Sequence, residues 1–342
     1  MSDRDGLIDL HTHAIWPGLP DLTDSSPDYR WPSVEQLDET SARILLGGAP
    51  YRDIDDRCWS APRRIADMDA DGVAVQVVSP TPITFCHDAP ADAAAVLAAA
   101  QNDFLAELTA TAPDRFRALG AVPMQDTGLA IEQLRRCMLE LGFLGVEIGT
   151  RIGDTELGDP VLDPFFDEAA ELGALVFVHP ADVTLDPRLA RLKIPFGAGM
   201  PSETGIAAAG LLVSGALQRR RPQLRMCLAH GGGTLPWLLP RLDKGELIKN
   251  ADTPPEQLPS ALARRLCSDS LTYDVSSLLL AVTRFGEDHV YLGTDYPFAA
   301  KEDPTAAVLA QPEAGQSESG LSDLLRAAIG RDNARALLEV RR

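Results

Sequence analysis

Cysteine, histidine and basic residues are all scarce in this chain, and each shortage removes a class of function. The five cysteines (Cys58, Cys86, Cys137, Cys227, Cys267) are odd in number and include no CxxC pair. Neither a disulfide framework nor a cysteine zinc site is expected. Lysine and arginine total 31 against 50 aspartates and glutamates, a formal net charge of −19. That balance argues against nucleic-acid partners and against anionic membrane surfaces. No apolar run approaches the length of a transmembrane helix. The polar start, MSDRDG, leads straight into an apolar strand and does not read as a signal peptide. A soluble, cytoplasmic protein is the expectation. Internal repeats are missing too, and no glycine fingerprint for a dinucleotide follows the first strand.

What is present is a set of short strand-like runs that end on metal-type ligands. They are 7–13 (LIDLHTH), 174–179 (ALVFVH), 224–230 (LRMCLAH) and 290–295 (VYLGTD). His11 and His13 are two apart, so on an extended strand both rings face the same way. Only six histidines exist, and four of them close these runs. His87 and His289 read as a loop residue and a surface residue. A lone strand-end histidine is usually a hydrogen-bonded structural residue. Four at corresponding strand ends are a different matter.

The rest of the chain alternates helix and strand. Helices are expected at 63–71, 91–110, 128–141, 164–172, 204–218, 236–249, 276–285 and 321–340. Further strands are expected at 73–78, 116–122, 144–148 and, more weakly, 271–274. Eight βα units predict an α/β (β/α)8 TIM-like barrel, with a doubly wound sheet as the alternative. The length of 342 residues suits one such domain spanning 1–342. Residues at about 16–60, rich in Pro, Asp, Gly and Ser, read as an insertion after the first strand that forms a small subdomain.

Polar groups at the C-terminal ends of barrel strands are where this architecture keeps its chemistry. Three imidazoles and one carboxylate, with a water completing the shell, suit one divalent ion. Zn²⁺ is the expected ion and Mn²⁺ the alternative. His230 precedes the flexible turn Gly231–Gly232–Gly233 and reads as a general acid or base. Metal ligation by His230 is the competing reading.

DLHTH, FVHP, LAHGGG and LGTDYPF together resemble the metal-dependent decarboxylase branch of the amidohydrolase superfamily. The likeness extends through RCWSAPRRIADMDADGVAVQ, TPITF, AVPMQD, MPSETGIA and HGGGTLPWLLPRLD, nearly the whole chain. The resemblance implies metal ligation by His11, His13, His179 and Asp295. It implies acid/base catalysis by His230, with Asp295 assisting proton movement. It also implies carboxylate binding by Arg52 and by Arg241, the latter reaching the neighbouring active site of a homodimer. Without the resemblance, both arginines read as solvated surface charges.

The implied activity is zinc-dependent, non-oxidative decarboxylation. Its substrate would be a small unsaturated acid, like 2-amino-3-carboxymuconate semialdehyde, or an aromatic carboxylic acid. Hydrolysis or hydration of a small carboxylated metabolite is the alternative, and a non-catalytic barrel the third reading. Three departures from the family pattern bear on this. Ala181 and Phe196 stand where tryptophans are usual. Glu147 stands where glutamine is frequent, and the carboxylated lysine of binuclear relatives is missing. A single metal is expected, with Glu147 the only candidate to recruit a second.

Overall fold

The computed structural model describes residues 6–181, 187–312 and 320–339. Eight strands lie side by side in chain order. They are β1 (Leu7–Ala14), β2 (Val73–Pro80), β3 (Phe116–Gly120), β4 (Gly145–Gly149), β5 (Leu175–His179), β6 (Arg225–Leu228), β7 (Leu266–Asp269) and β8 (Val290–Tyr291). Every neighbouring pair is parallel. The segment after β8 returns to β1: the Leu10 N–H donates to Leu292 O at 2.8 Å and the His13 N–H to Tyr296 O at 2.7 Å. Thr12 and Tyr296 form a parallel bridge there, so the sheet curls into the expected (β/α)8 barrel.

The strands form because their residues suit burial on both faces. All five residues of β5 are buried. Its two-residue period sets Leu175, Phe177 and His179 on one face, the first two within the apolar cluster that fills the barrel. His179 follows them to the C-terminal mouth. Helices between strands start and stop where local chemistry dictates. Ser60 caps Ala61–Asp71 by accepting from the Arg63 N–H, and Gly72, at φ 71°, ends it. Within that helix Arg64 is fully buried and donates to Gln76 Oε1, His13 O and Thr12 Oγ1, tying the helix to the mouth end of β1.

One expectation needs correction. Residues 271–274 are not a strand; the seventh strand is Leu266–Asp269. Asp274 instead caps helix Val275–Phe285, accepting from the Ser277 N–H at 2.8 Å. The aromatic and β-branched content of LTYD imitates a strand, while β7 itself (LCSD) carries two buried polar residues, Ser268 and Asp269. The excursion after β1 also has regular structure. It folds as an antiparallel sheet of Pro32–Gln36, Ser41–Leu46 and Ala49–Asp55. Ala42, Ile44 and Ile54 are buried with Ile15 and Cys58, which pins the sheet beside the barrel mouth.

Candidate metal centre and active site

The barrel mouth gathers four groups able to hold one ion. His11, His13, His179 and Asp295 each offer a ligand atom, all within 4.8 Å of one another. His11 Nε2 lies 3.0 Å from His13 Nε2, and His13 Nε2 lies 3.1 Å from Asp295 Oδ1. These separations are on the scale set by ion–ligand bonds of about 2.0–2.2 Å. The other ring nitrogens are already engaged. His11 Nδ1 meets Asp269 Oδ2 at 2.7 Å, His13 Nδ1 meets Pro80 O at 3.2 Å and His179 Nδ1 meets Pro180 O at 2.9 Å. Acceptors at every Nδ1 place the proton there and leave Nε2 bare for a metal. His179 Nε2 is buried and makes no hydrogen bond. The donor set fits a divalent ion, and a metal site is indicated.

In the metal-free centre the surrounding carboxylates and burial act on the four ligands in different directions. Burial works against a carboxylate at Asp295, yet the His13 hydrogen bond and the nearby imidazoles hold its pKa down to about 2. Burial also disfavours charge on His11, but the Asp269 carboxylate overrides it and raises the pKa to about 9, so an ion bound at Nε2 would displace a proton from that nitrogen. Burial lowers His13, and lowers His179 further still, with neighbouring rings adding to the effect. Burial works against charge on Asp269, yet the bond to His11, the charges of His11 and His230 and the Gly231 N–H together hold it below the ordinary carboxylate range.

Asp295 is held from behind. Asp9 accepts from Thr294 Oγ1 at 2.6 Å and from the Thr294 N–H at 3.2 Å. This joins β1 to the segment that carries Asp295. The Asp295 backbone has φ 63°, a left-handed conformation costly for a residue with a Cβ. His230 is also held in the left-handed region, with φ 59°. It is partly buried, its ring centroid is 4.8 Å from that of His179 and 5.5 Å from that of His11, and its Nδ1 makes no hydrogen bond.

Three glycines after His230 are required by space as well as by angle. A Cβ at Gly231 would come within 2.4 Å of Thr272 Cγ2, and one at Gly233 within 2.2 Å of Pro201 O. His230 belongs to this turn rather than to β6, which ends at Leu228.

A cavity of about 740 Å³ opens over the centre, lined by His13, His179, Asp295, Arg52, Ala181, Phe196, Met200 and Phe298, among others. The insertion sheet delivers Arg52, whose guanidinium carbon lies 4.7 Å from the Phe298 ring centroid; that ring is 5.8 Å from His13. Arg57 also lines the cavity, but Asp55 engages its guanidinium. Arg241 is exposed on helix Leu235–Lys249 and is not part of this chain's cavity wall. Ala181 and Phe196 both border the cavity, whereas 182–186, in the segment between them, lies outside the described residues.

Glu147 is fully buried, and burial pushes its pKa up to about 8. Its Oε2 sits 3.8 Å from His13 Nδ1, the edge turned away from the ligand cluster. It therefore stands outside the four-residue group. The residue that sequence reasoning missed is Asp269, at the end of the misplaced seventh strand. A carboxylate closing a buried run at the same barrel end as the histidines was the available signal.

Comparison with known proteins gives a consistent pattern. The amidohydrolase family model matches residues 8–340. The chain is 36% identical over 302 residues to the 2-amino-3-carboxymuconate-6-semialdehyde decarboxylase of Dictyostelium discoideum, covering 86% of this chain and 82% of the relative. Among solved structures, a dihydroxybenzoic acid decarboxylase from Polaromonas sp. JS666, with bound manganese and the inhibitor 2-nitroresorcinol, matches with a TM-score of 0.76. The identity is 25%, and 99% of this chain and 98% of that one are covered. The apo form of Metarhizium anisopliae IDCase shares the fold, with a TM-score of 0.81 at 23% identity over 100% of this chain and 99% of the other.

Proposed function

This chain belongs to the amidohydrolase family, and from that premise we propose that it is a metal-dependent, non-oxidative decarboxylase of a small unsaturated or aromatic carboxylic acid. One observation carries the reading: four ligand groups converge, and three of them, His13, His179 and Asp295, line a cavity whose wall presents Arg52. The decarboxylase relatives support it. The reaction breaks one carbon–carbon bond, releases CO₂ and places a proton on the carbon left behind, so it needs no redox partner.

His11, His13, His179 and Asp295 would hold one ion. The three-imidazole, one-carboxylate set favours Zn²⁺, while the Polaromonas structure makes Mn²⁺ the competing choice. A divalent ion there supplies Lewis acidity and lowers the pKa of a coordinated water.

His230, beside the cluster but tied to no hydrogen-bond partner through Nδ1, is the group that accepts and returns the proton. Asp295 assists it. Burial lowers the His230 pKa, which favours the neutral imidazole as the resting base. Arg52 binds a substrate carboxylate through its guanidinium fork. The Phe298 face beneath that side chain restricts where it can swing.

Arg241 would supply a second guanidinium from the partner of a homodimer. Its helix leaves Trp237 72% and Ile248 73% exposed, and Ile206 on the adjoining helix Met200–Val213 is 50% exposed; apolar exposure of that order suits a protein interface. The domain reading is one catalytic domain over 1–342, with 16–60 inserted beside the mouth. The five cysteines are free and buried, which fits a reducing, cytoplasmic setting. No helix among the described residues is long and apolar enough to cross a membrane.

2-Amino-3-carboxymuconate semialdehyde is the first-choice substrate, on the strength of the 36% identical relative. A dihydroxybenzoate is the alternative, on the strength of the Polaromonas structure. The test is to give metal-analysed protein each acid in turn and follow substrate absorbance with CO₂ release. One CO₂ per muconate consumed supports the assignment. CO₂ from the dihydroxybenzoate alone replaces it with the aromatic reading, and release from neither acid removes both.

A further inference from the structure

We infer that Asp269 is a positioning residue that sets two parts of the site at once, the tautomer of His11 and the turn that carries His230. The inference rests on the metal-dependent reading above and deepens it.

Asp269 is fully buried at the end of β7 and accepts four hydrogen bonds. Oδ2 takes His11 Nδ1 at 2.7 Å and the His230 N–H at 2.9 Å; Oδ1 takes the Gly231 N–H at 2.7 Å and the Leu271 N–H at 3.1 Å. Only an ionised carboxylate can accept at both oxygens while donating at neither. The bond to His11 keeps that proton on Nδ1 and leaves Nε2 for the ion. The two bonds to His230 and Gly231 anchor a turn whose residues stand at φ 59° and φ 63°, angles that need outside support. Gly293 makes the approach possible, because a Cβ there would fall 2.7 Å from His11 Cβ and 2.8 Å from Asp269 Cβ.

The geometry makes a specific claim about asparagine at this position. Asp269→Asn is nearly isosteric, but its amide nitrogen must face one pair of donors. Facing Gly231 and Leu271, it meets two backbone N–H groups that cannot become acceptors. Facing His11 and the His230 N–H, it meets one such group and a ring that can. His11 then accepts at Nδ1, carries its proton on Nε2 and loses its ability to ligate. Asp269→Ala removes the orienting acceptor without imposing the wrong tautomer.

Metal affinity should therefore fall in the order wild type, Ala, Asn, while thermal stability falls in the order wild type, Asn, Ala. A purely structural role would give both quantities the same order. The experiment titrates Zn²⁺ against a chromophoric chelator in metal-stripped wild type and both variants, with thermal unfolding in parallel. Loss of roughly 10- to 100-fold in affinity for Asn, exceeding that of Ala, supports the inference. Affinity in Asn within twofold of wild type, or an Ala variant weaker than Asn, overturns it. Should Asn fail to fold, wild-type affinity in the Ala variant overturns it equally, and weakened affinity supports it. Wild type that binds no Zn²⁺ would instead fell the metal-dependent reading, so the two failures are distinct.

Discussion

His230 and Asp295 are both held at positive φ, at 59° and 63°, Asp295 within the ligand cluster and His230 beside it. Strain kept at such a place indicates that the position of the side chain matters more than backbone comfort. His230→Ala should retain wild-type metal content yet lose about 10²–10⁴ in kcat, measured by metal analysis alongside steady-state kinetics. Loss of metal in that variant would make His230 a ligand instead. Arg52→Ala and Arg241→Ala should each raise KM for the carboxylate substrate, or abolish turnover, with metal content unchanged. Unaltered kinetics in the Arg241 variant would end the cross-subunit assignment. The ligand histidines were legible because imidazole is rare in this chain and falls at strand ends. Asp269 was not, since the seventh strand was expected at 271–274 and this carboxylate, which closes Leu266–Asp269, then fell outside any expected strand end.

At the scale of elements, the βα rhythm predicted every barrel strand but one to within a few residues. The exception shows why. β7 is only Leu266–Asp269, too short and too polar for periodicity, while the neighbouring LTYD has the better strand composition and is loop and helix cap. The insertion sheet was hidden for a related reason. Of the seven residues of Ala49–Asp55 only Ile54 is buried, so a half-exposed strand looks like an acidic loop. The glycine turn after β6 makes a prediction of its own. Gly233→Ala places a Cβ 2.2 Å from the Pro201 carbonyl oxygen at φ 58°. It should destabilise the fold by about 1–3 kcal/mol and lower kcat while the metal stays bound. Thermal unfolding and kinetics of the metal-loaded variant check this, and a neutral result would mean the turn is freer than its packing indicates.

For the whole molecule, pH acts through buried groups away from the ligands as well as through the centre. His87 is buried, accepts the Gly149 N–H through Nε2 at 3.1 Å, and burial lowers its pKa to about 4 from 6.5. Its folded value lies below its unfolded value, so the unfolded chain binds the proton first. The stability that depends on neutral His87 is complete above 6.5 and is lost as pH falls through 6.5 towards 4. The loss is on the order of 3 kcal/mol by proton linkage. Denaturant unfolding of metal-free protein between pH 7 and 4 should show a shallower decline in His87→Gln; an identical slope would remove His87 from the account.

The central claim is that one ion, held by His11, His13, His179 and Asp295, is required for decarboxylation. Its most direct test is CO₂ release from 2-amino-3-carboxymuconate semialdehyde by metal-stripped protein titrated with Zn²⁺. No release is expected without metal, and full activity is expected at one equivalent per chain. Undiminished release from the stripped protein would contradict it.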